Sequence, residues 1–211
     1  MPAIGDVTKV AIMRFYTFSC VVLALATAPL GAKADVNNPD ALKDAVILVI
    51  RHAEKPDGGD GLSPMGKQRA GLYVNYFQDY AIDFRPLKID YIFAAADSSE
   101  SRRPRLTVTP LAGALGVAID DRFKDKQFAK LAAEIHSRPH GRHILICWHH
   151  GEIPQLLRAL GANPDTLIPG AKWPERVFGW VIQLRYDENG QLVEARRINE
   201  NLLPDDAYGK M

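Results

Sequence analysis

The sequence predicts an α/β fold of three layers, with a mostly parallel central sheet, helices on both faces and a hairpin near the carboxyl terminus. Three observations carry that expectation. Short runs of Val and Ile alternate with longer stretches of helical periodicity, as in chains built from strand–helix units. The first of these runs, Ala45 to Ile50, is continuously apolar, which suits a strand covered on both faces. A pair of alternating runs flanks Asp187-Glu188-Asn189-Gly190, a turn signal that joins antiparallel strands.

Taken in order, Ala45 to Ile50 is the first strand. Gly66 to Tyr80 follows as a helix, because Ala70, Tyr73, Phe77 and Tyr80 recur at helical spacing. Ile89 to Ala94 is the second strand, and Arg102 to Leu115 the second helix, with Pro104 suited to a first turn. His143 to Trp148 is a third buried strand, succeeded by a helix from about Glu152 to Leu160 that Gly161 stops. Val177 to Arg185 and Gln191 to Ile198 make the terminal hairpin.

The chain has 211 residues, 47% of them hydrophobic and 24% charged, with 26 Lys and Arg against 25 Asp and Glu. This is globular usage, and a formal charge of +1 offers no footprint for general nucleic-acid binding. Residues 1–34 read as a secretory signal peptide and not as part of the fold. Lys9 and Arg14 precede the apolar run Phe15 to Leu30, and Ala32-Lys33-Ala34 is a small-x-small cleavage site. The run is interrupted by Thr, Ser and Pro and is short for a spanning helix, so no stable membrane insertion is expected after cleavage. Residues 35–211 then form one exported domain, periplasmic or secreted, whose one cysteine is Cys147.

Polar residues crowd the ends of the three buried strands. The first is followed by Arg51-His52-Ala53-Glu54-Lys55, the second by Ser98-Ser99-Glu100-Ser101-Arg102-Arg103, and the third by His149-His150-Gly151. Ligands of open α/β sheets bind outside the carboxyl ends of strands. Arginine forks and histidines gathered there suit a small anion with several oxygens, such as a phosphoryl group.

These elements resemble the histidine phosphatase superfamily, which includes cofactor-dependent phosphoglycerate mutases and short phosphohistidine phosphatases. The strand ending in Arg-His-Gly-Glu is similar to Val46 to Glu54, with Ala53 replacing the glycine. Leu62 to Ala70, Ser98-Ser99 with Arg103 and Thr107, and Ile144 to Gly151 match three further elements in the family's order. The resemblance implies a phosphoglycerate mutase-like fold, with His52 as nucleophile and Arg51, Arg103 and His150 as the phosphate clamp. No metal or other cofactor is called for. Asp125 in Arg122-Phe123-Lys124-Asp125 is the candidate proton donor, and Glu152 competes with it. Gly151 favours His150 as the second pocket histidine, whereas counting back from Leu156-Leu157 favours His149. Ser99 and Thr107 are either supporting hydrogen-bonders or caps, and Glu54 and Lys55 suit ion pairs at the border.

The short separation between Thr107 and His150 resembles the phosphatases more than the mutases, which carry a longer insertion there. Export points the same way, towards a hydrolase of small phosphomonoesters. Two other readings compete. A catalytically inactive protein could hold a phosphorylated ligand in the same pocket. A metal-binding module could draw on His136, His140, His143, His149 and His150, but His143 and His149 stand at opposite ends of a strand, about 20 Å apart at 3.3 Å per residue. The loop from Lys55 to Leu62 and the segment from Arg122 to His140 are expected to rim the pocket. Trp148 and Trp173 suit core packing better than stacking on a substrate ring.

Overall fold

The structure, a computed structural model, describes residues 38–206. Residues 1–34, which the sequence pattern reads as a signal peptide, lie outside the described residues. The chain runs β1 (Val46–Arg51), α1 (Pro64–Gln78), β2 (Ala81–Ile82), β3 (Arg85–Pro86), β4 (Tyr91–Ala94) and α2 (Arg103–Leu115). It continues through β5 (Ile119–Asp120), α3 (Phe128–Ser137), β6 (His143–Trp148), α4 (Ile153–Ala159), β7 (Trp180–Tyr186) and β8 (Leu192–Asn199). Six strands form one mixed sheet in the order β5-β4-β6-β1-β7-β8, while β2 and β3 pair separately. β5, β4, β6 and β1 are parallel, and β7 and β8 complete the sheet antiparallel.

β1 is buried on both faces because it lies between β6 and β7 with helices above and below. Side chains of a strand alternate between faces. Ile47 and Val49 join the core beneath α3 and α4, with Leu131, Ile135, Leu156 and Leu157. Val46, Leu48 and Ile50 enter the other core, with Tyr73 and Phe77 of α1 and Val108 and Leu111 of α2. A polar residue between Val46 and Ile50 would therefore lose its water among apolar neighbours, which accounts for the apolar run up to Arg51.

Local signals set the helix ends. Ser63 caps α1, its Oγ accepting from the Gly66 N–H at 3.0 Å, and Pro64 opens the first turn. α2 stops at Gly116, whose φ of +67° a side chain would oppose and whose N–H donates to the Ala112 carbonyl. The β7–β8 turn is tied by Asp187, which accepts from the N–H groups of Asn189 and Gln191.

The parallel registers decide where the site forms. Arg51 is opposite Trp148, and Ala94 is opposite Cys147. β1, β4 and β6 therefore end at one edge, and the three polar segments that follow them leave together. One expectation needs correcting: the segment from Arg122 to His140 is not a rim as a whole, because its second half folds as α3 and buries Leu131, Ala132 and Ile135. β2, β3 and β5 are too short to show a hydrophobic period, so the sequence did not announce them. Among the described residues no helix is long and apolar enough to cross a membrane.

Candidate active site

His52 continues the line of β1, its N–H donating to the Trp148 carbonyl at 3.0 Å. The residue is 3% exposed, and Nδ1 lies 2.7 Å from the Ala53 carbonyl oxygen. A carbonyl only accepts, so Nδ1 carries the proton and Nε2 keeps a lone pair. Burial holds the imidazole pKa well below its ordinary value, the Ala53 bond opposes this, and the charges of Arg51, His149 and Arg103 reinforce it. His52 is therefore a neutral base with one nitrogen free.

Arg51 is buried beside it. One terminal nitrogen donates to three backbone carbonyls, those of Pro174 (3.2 Å), Glu175 (2.7 Å) and Val177 (3.0 Å). The guanidinium carbon also stands 3.9 Å from the centre of the Phe178 ring. Burial brings its pKa down to about 10, against the charges of Glu54 and Glu175, so it stays a cation at neutral pH. Arg103 opens α2 and donates to the Gly59 carbonyl at 3.3 Å. Its charge is felt by His52, Arg51 and His149.

Nε of Arg51, Nε of Arg103 and Nδ1 of His150 are all buried without a hydrogen-bond partner. Each such atom costs about 1–3 kcal/mol when left unsatisfied. The charges of Arg51 and Arg103 both act on His52, and this cationic surround of a neutral histidine suits an anion with several acceptor oxygens. Arg51 and His150 also line a cavity of about 660 Å³, together with Lys55, Met65, Glu175 and Phe178. That volume is within the range of small-molecule sites.

Both candidate histidines after β6 reach the site, from different sides. The His149 ring meets His52 edge to face with centroids 5.1 Å apart. His150 faces the cavity, where burial and then Arg51 push its pKa down to about 4. Asp125 sits in the turn Asp125–Gln127, held by its own carbonyl, which accepts from the Trp148 indole N–H at 2.9 Å. Its charge acts on His149. Glu152 precedes α4 and makes no side-chain capping bond. Trp148 and Trp173 are core residues, and Trp173 donates to the Val177 carbonyl at 2.8 Å.

Thr107 ties two site segments together: its Oγ1 accepts from the Ala53 N–H at 2.8 Å and donates to the Arg103 carbonyl at 2.7 Å. Ser99 is exposed. Glu54 is ion-paired with Arg69 at 2.7 Å. Two wall segments were not foreseen, the loop from Pro174 to Phe178 and the turn at Asp205 and Asp206. Their place depends on long-range bonds to Arg51 and Arg69, for which a linear sequence has no local signal. His143 opens β6 with Nδ1 at 2.7 Å from the Lys88 carbonyl, and His140 packs on Tyr91 and Phe93. Among the described residues no three His, Cys, Asp or Glu side chains are grouped as a metal ion would need.

No protein-family model and no curated protein matches the chain. Solved structures are similar to it. One is the protein histidine phosphatase SixA complexed with tungstate, at 13% identity and a TM-score of 0.47, covering 74% of this chain and 97% of that one. Another is the phosphoglycerate mutase of Plasmodium falciparum, at 17% identity and a TM-score of 0.49, covering 74% of this chain and 91% of that one.

Proposed function

We propose that this protein is an exported phosphatase that hydrolyses small phosphomonoesters through a phosphohistidine on His52, without a metal. The observation that carries the reading is the neutral His52 imidazole, its Nδ1 bonded to the Ala53 carbonyl and its Nε2 unprotonated, beside the cationic Arg51 and Arg103. Nε2 attacks phosphorus in line and the ester P–O bond breaks on the opposite side. Arg51, Arg103 and His150 hold the phosphoryl oxygens and offset the charge that builds on them. The leaving oxygen takes a proton from an acid, for which Asp125 is the candidate and Glu152 the competitor. Water then gives a proton to the carboxylate left by that acid and attacks the phosphohistidine, the P–N bond breaks, and phosphate leaves with Nε2 and the acid both restored.

Export to the periplasm or the medium rests on the charged and apolar pattern of residues 1–34. The near-neutral charge supports a small-molecule partner over nucleic acid. The test is release of inorganic phosphate from an aryl phosphate, with chelator present, by the wild-type chain and by His52→Asn. Release by the wild type alone is expected. Activity that needs an added divalent metal, or that survives His52→Asn, would overturn the mechanism. Phosphate-induced thermal stabilisation without release would mark a phosphate-binding protein instead.

A further inference from the structure

Arg69 lies on α1, 1% exposed, and gathers carboxylates from separate parts of the chain. Nε and one terminal nitrogen donate to Glu54 at 3.0 and 2.7 Å. The other terminal nitrogen donates to Glu200 and Asp206, each at 3.1 Å, and Asp206 accepts a further bond at 2.6 Å. Tyr73 donates its hydroxyl proton to Glu200 at 3.0 Å. Asp206 is seated by the N–H groups of Leu202 and Leu203, at 2.8 and 3.0 Å. Gly179 faces its carboxylate so closely that a Cβ there would overlap it.

A buried cluster of this kind is weak evidence for stability, because desolvating the charges offsets most of their attraction. What it holds in place is more informative. The carbonyl that accepts from His52 Nδ1 belongs to the peptide joining Ala53 to Glu54. On one side of that peptide the Ala53 N–H is fixed by Thr107 at 2.8 Å. On the other, the Glu54 carbonyl accepts from the Ser63 N–H at 2.9 Å, and the Glu54 side chain is gripped by Arg69.

We infer that Arg69 and Asp206, acting through Glu54, are positioning residues that hold the Ala53 carbonyl against His52 and thereby fix which ring nitrogen is free. The carboxyl-terminal segment from Glu200 to Asp206 is in this way part of the support of the nucleophile. The inference rests on the proposed role of His52. With the latch loosened, the Ala53 carbonyl turns away and the ring proton distributes between Nδ1 and Nε2. The fraction with a protonated Nε2 has no lone pair to offer phosphorus.

The test uses full-length Asp206→Asn and Glu54→Gln, with Arg69→Lys as a third variant that keeps the charge and loses the fork. Nitrogen-15 NMR reads the His52 tautomer, and kcat and KM are measured on an aryl phosphate. The wild type should show protonated Nδ1. The variants should show a mixture, with kcat lower by on the order of tenfold and KM unchanged, the scale on which misorientation of a reacting group acts. Glu54→Gln keeps its volume and an acceptor oxygen, so it serves if Asp206→Asn does not fold. Variants that lose thermal stability while His52 keeps the wild-type tautomer would overturn the inference, whatever happens to kcat. The NMR readout needs no turnover, so a chain without phosphatase activity would sink the proposed function and still decide the latch.

Discussion

The imidazoles of His52 and His149 meet edge to face at 5.1 Å, and burial holds both below their ordinary pKa. His150 behaves alike, pushed down to about 4. A histidine with a lowered folded pKa adds stability that is present above the unfolded value of 6.5. That stability is lost as pH falls, because the unfolded chain binds the proton first. Acidification from pH 6.5 to about 4 should therefore lower the unfolding free energy through these residues. Each contributes at most about 1.4 kcal/mol per pH unit. His150→Gln should show a shallower slope in urea unfolding across that range.

Glu200 acts in the opposite sense. Burial, opposed by the charge of Arg69, pushes its carboxyl up to about 8 from 4.5. The folded state binds the proton more tightly than the unfolded chain, so the contribution is full below 4.5 and is lost as pH rises through about 8. Between pH 4.5 and 6.5 this loss offsets the gain from the histidines, whereas between 6.5 and 8 the Glu200 loss acts without that offset. Glu200→Gln should flatten the thermal-stability profile in the upper window and steepen it in the lower one.

Gly66 lies in the first turn of α1, and a Cβ there would overlap the Glu54 carbonyl. A helical Gly→Ala change ordinarily gains about 1 kcal/mol. Crowding a well-packed backbone costs about 1–3 kcal/mol, so the clash wins and Gly66→Ala should destabilise. Gly71 and Gly113, also helical, have nothing within 4 Å of an added Cβ. Gly71→Ala and Gly113→Ala should therefore gain about 0.5–1 kcal/mol. Urea unfolding of the three variants measures the contrast.

The two arginines should separate in their effects. Arg103 makes one hydrogen bond at an exposed edge, to the Gly59 carbonyl, so Arg103→Lys should change stability by less than about 1 kcal/mol. Its loss of the fork should lower kcat/KM by on the order of a hundredfold. Arg51→Met removes the donor for three carbonyls of the 174–177 loop. It should cost about 3 kcal/mol or more in addition to its loss of activity. Thermal unfolding and steady-state kinetics on the same samples distinguish them.

His52→Asn should lower turnover by on the order of a thousandfold or more, with chelator leaving the wild-type rate unchanged. Quenching the wild type during turnover with alkaline denaturant should trap a phosphoryl group on His52 that survives base and is lost in acid, and the variant should trap none.

Most of the sheet and its helices were legible in the sequence because their causes are local. β1 and β6 read as unbroken apolar runs since both faces are covered. α1 carries Ser63, Pro64 and a helical spacing of Tyr73 and Phe77, and the β7–β8 hairpin carries Asp187 and Gly190. The gathering of Arg51, His52, Arg103, His149 and His150 was also legible, since strand order in such sheets brings the carboxyl ends together. Tertiary structure alone decided the rest. Which side His149 and His150 take depends on the turn after Trp148, and the 174–178 wall depends on three carbonyls finding Arg51. The role of Asp206 depends on Arg69, far away in the chain. Hydrophobic period and capping report the burial and the ends of single elements. A buried charge reports nothing until the fold supplies its partners, because its cost and its compensation come from different parts of the chain.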